Sequence, residues 1–184
     1  MSLRPFLLAA VGLSLATVGL ALAQQRSRPP QSSSPEPRPP MVQWIGHESK
    51  HPAGFVVVRD DEAWRALWGK HTGRPADDRG AMHRYIAPRI DFERCMVVGH
   101  FAGPSVNADG EVAASVRETA EHLVIRFVSS TFQSAGPGGG GANTTPFGLW
   151  VVPASSLPIL IEEGRHGGKQ GALVWEEAAR LPGK

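Results

Sequence analysis

Seven histidines are the residues of this chain best suited to hold a metal, since neutral imidazole is a strong ligand for zinc and copper. His47 and His51 are four apart, a spacing that shares a helix face. Gly46, Pro52 and Gly54 surround them and argue against a helix there. His71 and His83 border a long polar loop, and His166 stands in a Gly-rich hairpin. His100 shares a strand face with Met96 and Val98, and His122 opens a later strand. No Cys-x-x-Cys or His-Glu-x-x-His spacing accompanies them. A metal site would require folding to gather ligands such as His47, His51 and His100 from distant positions. The expectation is solvated loop imidazoles, with no metal and no other cofactor.

Nucleophilic chemistry is no better supported. Ser129-Ser130-Thr131 and Ser155-Ser156 lack the Gly-x-Ser-x-Gly context of a nucleophile elbow. Cys95, the only cysteine, lies in the apolar run Cys95-Met96-Val97-Val98. A reactive thiolate needs a cationic, partly exposed setting, so Cys95 is expected to be buried as a small hydrophobe. Gly136-Pro137-Gly138-Gly139-Gly140-Gly141 is followed by Ala142-Asn143 rather than Lys-Ser/Thr and a helix, so it reads as a loop and not a phosphate cradle. Asn143-Thr144-Thr145 fits a glycan acceptor pattern, expected here to be unmodified. Arg165-His166-Gly167-Gly168-Lys169 is a small cationic tip, read as a solubilising hairpin end. The chain is expected not to be an enzyme. A hydrolase of unknown class and a His-dependent metal binder stay open as alternatives.

The elements that would position these residues are mostly strands. Residues 42–45 alternate as a short strand, and Phe55-Val56-Val57-Val58 is a stronger, β-branched one. Asp60 at a cap position with Asp61 and Glu62 behind it predicts a helix start. Trp64, Leu67 and Trp68 at i, i+3, i+4 give that helix one apolar face, running to about Lys70. Residues 72–88 read as a polar loop with a helical turn near Arg84-Tyr85. Asp91 is expected to turn the chain into the strand 96–101, with Phe92 plugging the core. Asn107-Ala108-Asp109-Gly110 predicts a turn. The next strand, 111–118, places Val112, Ala114 and Val116 on one side. Residues 122–129 carry Leu123, Ile125 and Phe127 on one face and Val124 and Val128 on the other, which suggests cover on both sides. Strands are also expected at 147–152, 157–161 and 172–175. Together these predict a mainly β, α+β fold: an antiparallel sheet or sandwich of about seven strands with one amphipathic helix packed on it.

Both flanks of the first strand bear on function. Arg4, an apolar run over residues 6–22 and the closing Ala21-Leu22-Ala23 have the layout of a secretory signal with cleavage after Ala23. An uncleaved membrane anchor is the alternative. Residues 24–40 hold 6 Pro, 4 Ser, 3 Arg and no hydrophobic residue, which predicts a disordered, partly polyproline linker. Residues 41–184 then form one globular domain. Of the 19 Lys and Arg in the chain four fall in residues 1–40, against one of the 17 Asp and Glu. The globular part is therefore close to neutral, which argues against nucleic-acid binding. The expected location is the periplasm, the cell envelope or the extracellular space.

Three segments, in order, resemble one family. Asp61-Glu62-Ala63-Trp64-Arg65-Ala66-Leu67-Trp68 is similar to its acid-acid-x-Trp-x-x-Leu-Trp helix. Pro88-Arg89-Ile90-Asp91-Phe92, leading to Met96-Val97-Val98, is similar to its Pro-x-Ile-Asp-Phe step into a Met-Val-Val strand. Thr145-Pro146-Phe147, continuing to Val151-Val152-Pro153 and Leu157-Pro158, resembles its closing pattern. The chain is thus identified as resembling the PrcB C-terminal domain family, named for a subunit of a bacterial protease complex, over about residues 56–161. It departs from the family at Gly103-Pro104-Ser105-Val106-Asn107, where the family places a Gly-Gly-Tyr loop. The resemblance implies an exported, non-catalytic module that binds or stabilises another secreted or envelope protein, such as a protease. It supplies no catalytic residues.

Overall fold

The computed structural model describes residues 36–76, 86–133, 140–167 and 172–184. The expected signal, most of the linker, His83, the turn near Arg84-Tyr85, Gly136 to Gly139 and the pair Gly168-Lys169 lie outside the described residues. Ten strands and one helix follow in the order β1 (Val42–Gly46), β2 (Gly54–Val58), α1 (Asp61–Thr72), β3 (Cys95–Phe101), β4 (Ser105–Val106), β5 (Ala108–Glu118), β6 (Leu123–Thr131), β7 (Asn143–Thr144), β8 (Phe147–Pro153), β9 (Ile159–Gly167) and β10 (Ala172–Leu181). A first sheet has the order β1-β8-β3-β2 and a second β10-β9-β6-β5, while β4 and β7 form a two-stranded ribbon. All pairings are antiparallel except that of β6 with β9. The mainly β, helix-covered architecture is the one the sequence predicts. The short strands of the ribbon, too brief to leave a pattern, account for most of the excess over seven.

The first sheet is sandwiched, which explains why its central strands read as continuous apolar runs. Met96, Val98, Trp150 and Val152 face the second sheet and meet Ala113, Val116, Leu123, Ile125, Phe127, Ile159 and Ile161. Val97, Leu149 and Val151, alternating with them, face α1 and meet Trp64, Leu67 and Trp68. Each such side chain contributes about 1.5–3 kcal/mol by leaving water. Cys95 belongs to this helix-side cluster, is 8% exposed, and donates its S–H to Met41 Sδ at 3.5 Å.

Local chemistry sets the ends of α1. Asp60 Oδ1 accepts the Ala63 N–H at 2.8 Å, and Gly73 closes the helix at φ 69, a left-handed value that glycine adopts without strain. At the other entrance to the core, Asp91 Oδ1 accepts from Glu93 N and its carbonyl accepts from Arg94 N and Cys95 N. Asp91 therefore turns the chain into β3, and Phe92 packs half-buried against the helix-side core.

Three expectations are corrected. The Asp109-Gly110 pair is no hairpin turn but lies inside β5, at a bulge in its pairing with β6. Gly110 is needed because a side chain there would sit 2.8 Å from Gly46 N and 3.2 Å from Phe147 O; three backbones converge at that point. A second irregularity between Ala113 and Ser115 shifts the side-chain phase. From Glu111 onward the buried residues of β5 are therefore Glu111, Ala113 and Val116, with Val112 half-buried and Ala114 exposed. Finally, the fold begins before Met41. Arg38 exchanges backbone hydrogen bonds with Val116, Pro40 is buried, and Gln43 Oε1 accepts from Ala113 N at 3.1 Å. These contacts cover the outer edge of β5, which would otherwise offer unpaired backbone groups.

Candidate functional site

The loop that follows β1 is folded back by its own hydrogen bonds. Thr145 N donates to His47 O at 2.8 Å and Lys50 N to His71 O at 3.0 Å. Ser49 N donates to Thr145 Oγ1 at 2.8 Å. This brings residues 47–51 against the C-terminal end of α1 and leaves a groove of about 1050 Å³ alongside. Trp44, Trp68 and Phe147 form its aromatic wall, Ile45, Ile86 and Pro88 its apolar rim, and Glu48, Ser49, Lys50, His71 and Thr72 its polar side. Trp44 is half-buried and packs on Trp64 and Trp68 with ring centres 5.6 and 5.9 Å away. Ile45 and Ile86 are exposed.

His71 is the pivot of the groove. Its Nδ1 is 2.9 Å from Ser49 Oγ, and its ring lies 4.2 Å from that of Phe147. Burial, reinforced by the nearby His51, lowers its pKa from 6.5 to about 4. At neutral pH the ring is therefore uncharged. Ser49 Oγ already accepts from His51 N at 3.1 Å. A neutral ring carries one proton on its two nitrogens, so the Ser49 hydroxyl is able to donate to Nδ1 when that proton is on Nε2. His51 itself stacks on Phe101 at 4.2 Å.

A serine hydroxyl donating to a neutral imidazole has the polarity of a nucleophile and its base. The N–H groups of Ser49, Lys50 and His51 already donate to Thr145 Oγ1, His71 O and Ser49 Oγ, so these three are not free to serve an oxyanion. No protein-family model, curated protein or solved structure matches this chain.

A second polar cluster closes one end of the space between the sheets. Glu111 is 2% exposed and its Oε2 accepts from Ser129 Oγ at 2.8 Å. The same hydroxyl is 3.3 Å from Glu163 Oε1, and Glu163 pairs with Arg165, which also reaches Glu176. His100 lies between Phe55 and Phe127, at 4.2 and 5.2 Å. Its Nδ1 is buried without a hydrogen-bond partner, 3.9 Å from Glu111 Oε2. Trp150 Nε1 donates to the Glu111 carbonyl at 3.0 Å. This is a polar plug that ties both sheets together.

The histidines named as possible metal ligands are dispersed. His47 is exposed beside Asp109 at 3.5 Å, His51 lies on Phe101, and His100 lies inside the sandwich. His122 accepts from Arg180 Nη1 at 2.9 Å. Among the described residues no three His, Cys, Asp or Glu side chains converge as a metal site. In the cationic tip, Arg165 is held by Glu163 and Glu176, which raise its pKa. Asn143 is exposed in β7.

Ser49, Trp44 and Glu111 are the functional candidates that sequence reasoning passed over. Nothing around Ser49 distinguishes it in the sequence. Glu111 would have been found by asking which face of β5 it occupies, but the bulge hides that face.

Proposed function

We propose that this chain is an exported, non-catalytic module that binds and stabilises another secreted or envelope protein. The resemblance to the PrcB C-terminal domain family suggests a protease as that partner. The observation that carries the reading is the groove between β1 and the end of α1. Its half-exposed Trp44, exposed Ile45 and Ile86, and polar side at Ser49 and Lys50 have the make-up of a protein interface. Such interfaces set aromatic anchors in an apolar centre with a polar rim.

The test is capture of the tagged protein from its native envelope after mild crosslinking, beside Trp44→Ala and Ile45→Asp. The expected result is a discrete protein partner recovered by the parent and lost with both variants. Recovery of no protein, or of the same protein by all three, overturns the reading.

A further inference from the structure

Four strands end the two larger sheets: β1 and β2 in the first, β10 and β5 in the second. An edge strand carries main-chain N–H and C=O groups without partners, and folds cover, bulge or charge such edges to keep other chains off them. Three of the four are managed in this way. Arg38 bridges to Val116 on β5, and β1 lies beside β5, with Gln43 Oε1 accepting from Ala113 N and Gly46 meeting Gly110. β10 presents exposed Glu176, Glu177 and Arg180 and is bulged between Glu177 and Ala179.

β2 has none of these devices. Gly54–Val58 holds no charge and no proline, and its pairing with β3 runs without a bulge. Beyond that ladder, no described residue makes a hydrogen bond to its main chain. Its side chains are already placed. Phe55 and Val57 pack on the core between the sheets and Val56 on the helix-side core, and Phe55 stacks on His100 with ring centres 4.2 Å apart. The strand is thus apolar, held in position and unpaired along one side.

A row of alternating donors and acceptors is completed by another extended strand. β2 lines no part of the groove, so that pocket offers nothing to the side chains of a foreign strand, which supply the specificity of strand addition. A copy of β2 needs no pocket, because the strand matches itself.

We propose that β2 pairs antiparallel with β2 of a second copy of this chain, across a two-fold axis through Val56. Such an axis stands perpendicular to the sheet, so each face continues into the same face of the partner. Phe55 then faces the partner's Val57 on the core side, an aromatic and β-branched pair of the favourable kind. Val56 faces the partner's Val56 on the helix side, and the two four-stranded sheets join into one. A strand of 5 residues makes a small interface, so the dimer should dissociate on dilution. β1 and β2 lie at opposite edges of the first sheet, so the contact does not depend on the groove or on the protein-binding reading.

The test is sedimentation velocity on the purified protein over a concentration series, with hydrogen exchange at residues 54–58 measured at both ends of it. The expected result is a mass that doubles as concentration rises, with slower exchange in β2 where it does. Successive N–H groups of a strand point to opposite sides. One of Val56→Pro and Val57→Pro therefore removes an outward donor and spares the ladder with β3. That variant should stay monomeric with a Tm close to the parent's. Should neither proline variant fold, the exchange data on the parent decide. A monomer at every soluble concentration, a dimer with β2 exchange unchanged, or a dimer retained by every proline variant that folds overturns the proposal. Protection of β2 that appears only when another protein is added also overturns it, and assigns the edge to that protein.

Discussion

His71 Nδ1 lies 2.9 Å from Ser49 Oγ, and this contact fastens the last turn of α1 to the loop that leaves β1. Burial of this ring disfavours its charged form, which gives the fold a pH dependence whose sign is fixed. The folded pKa of His71, about 4, is below the ordinary 6.5 because of burial first and His51 second. Between those values the unfolded chain binds a proton that the folded chain refuses. The contribution is fully present above pH 6.5 and is lost as pH falls toward 4, amounting to about 3 kcal/mol over the window. Denaturant unfolding at pH 7, 5.5 and 4 should show this slope, and His71→Leu should flatten it relative to the parent.

Trp64 is fully buried and its Nε1 donates to Pro88 O at 2.8 Å. Trp64→Ala should cost about 3–5 kcal/mol. Trp64→Phe keeps most of the packing and should cost about 1 kcal/mol for the lost hydrogen bond. Equal destabilisation by the two, measured by urea midpoint, would show that the bond to Pro88 outweighs the packing.

A methyl group added at Gly148 would stand 2.2 Å from the Glu111 carbonyl oxygen and 2.7 Å from Trp150 Nε1. Backbone cannot yield as a flexible side chain can. Gly148→Ala should therefore destabilise by about 3 kcal/mol or more and disturb the Trp150 fluorescence. A near-native Tm would contradict this.

Ser129 and Glu111 should be energetically coupled. Ser129→Ala leaves a buried carboxylate without its donor and should cost about 1–3 kcal/mol. In Glu111→Leu the same serine change should cost much less, so the double-mutant cycle is expected to be non-additive. Additivity would mean that the contact contributes nothing.

Arg38→Pro removes the N–H that Arg38 donates to Val116 O at 2.9 Å. About 1 kcal/mol of stability should go with it, read as a lower Tm and as faster hydrogen exchange at Val116.

The parts of this fold legible in the sequence are those where one local rule acts alone. The α1 helix was marked by Asp60 and by the Trp64, Leu67, Trp68 stripe. The double-sided cover of β3 and β8 was marked by their unbroken apolar runs. The outer halves of β9 and β10 were hidden because their residues are charged, as at Glu162, Glu163, Glu176 and Glu177. Pairing supplies their backbone bonds, and cross-strand contacts such as Arg165 to Glu176 supply the rest. The phase of β5 was misread since a bulge leaves no mark on composition. Of the groove, Trp68 was legible as part of the helix stripe. Ser49 and Trp44 were not, because their partners Thr145 and His71, and Trp64 and Trp68, are distant in the chain.

The parallel pairing of β6 with β9 has a consequence for the order of assembly. Between these two neighbours the chain leaves for the other sheet, where β8 docks between β1 and β3. The second sheet thus cannot be completed as a local hairpin that waits for the first. Its closure requires a long excursion to have found its place already, which raises the entropy of the barrier. The described domain should fold slowly, in a single step that joins both sheets, and should offer a protease few intermediate states to cut.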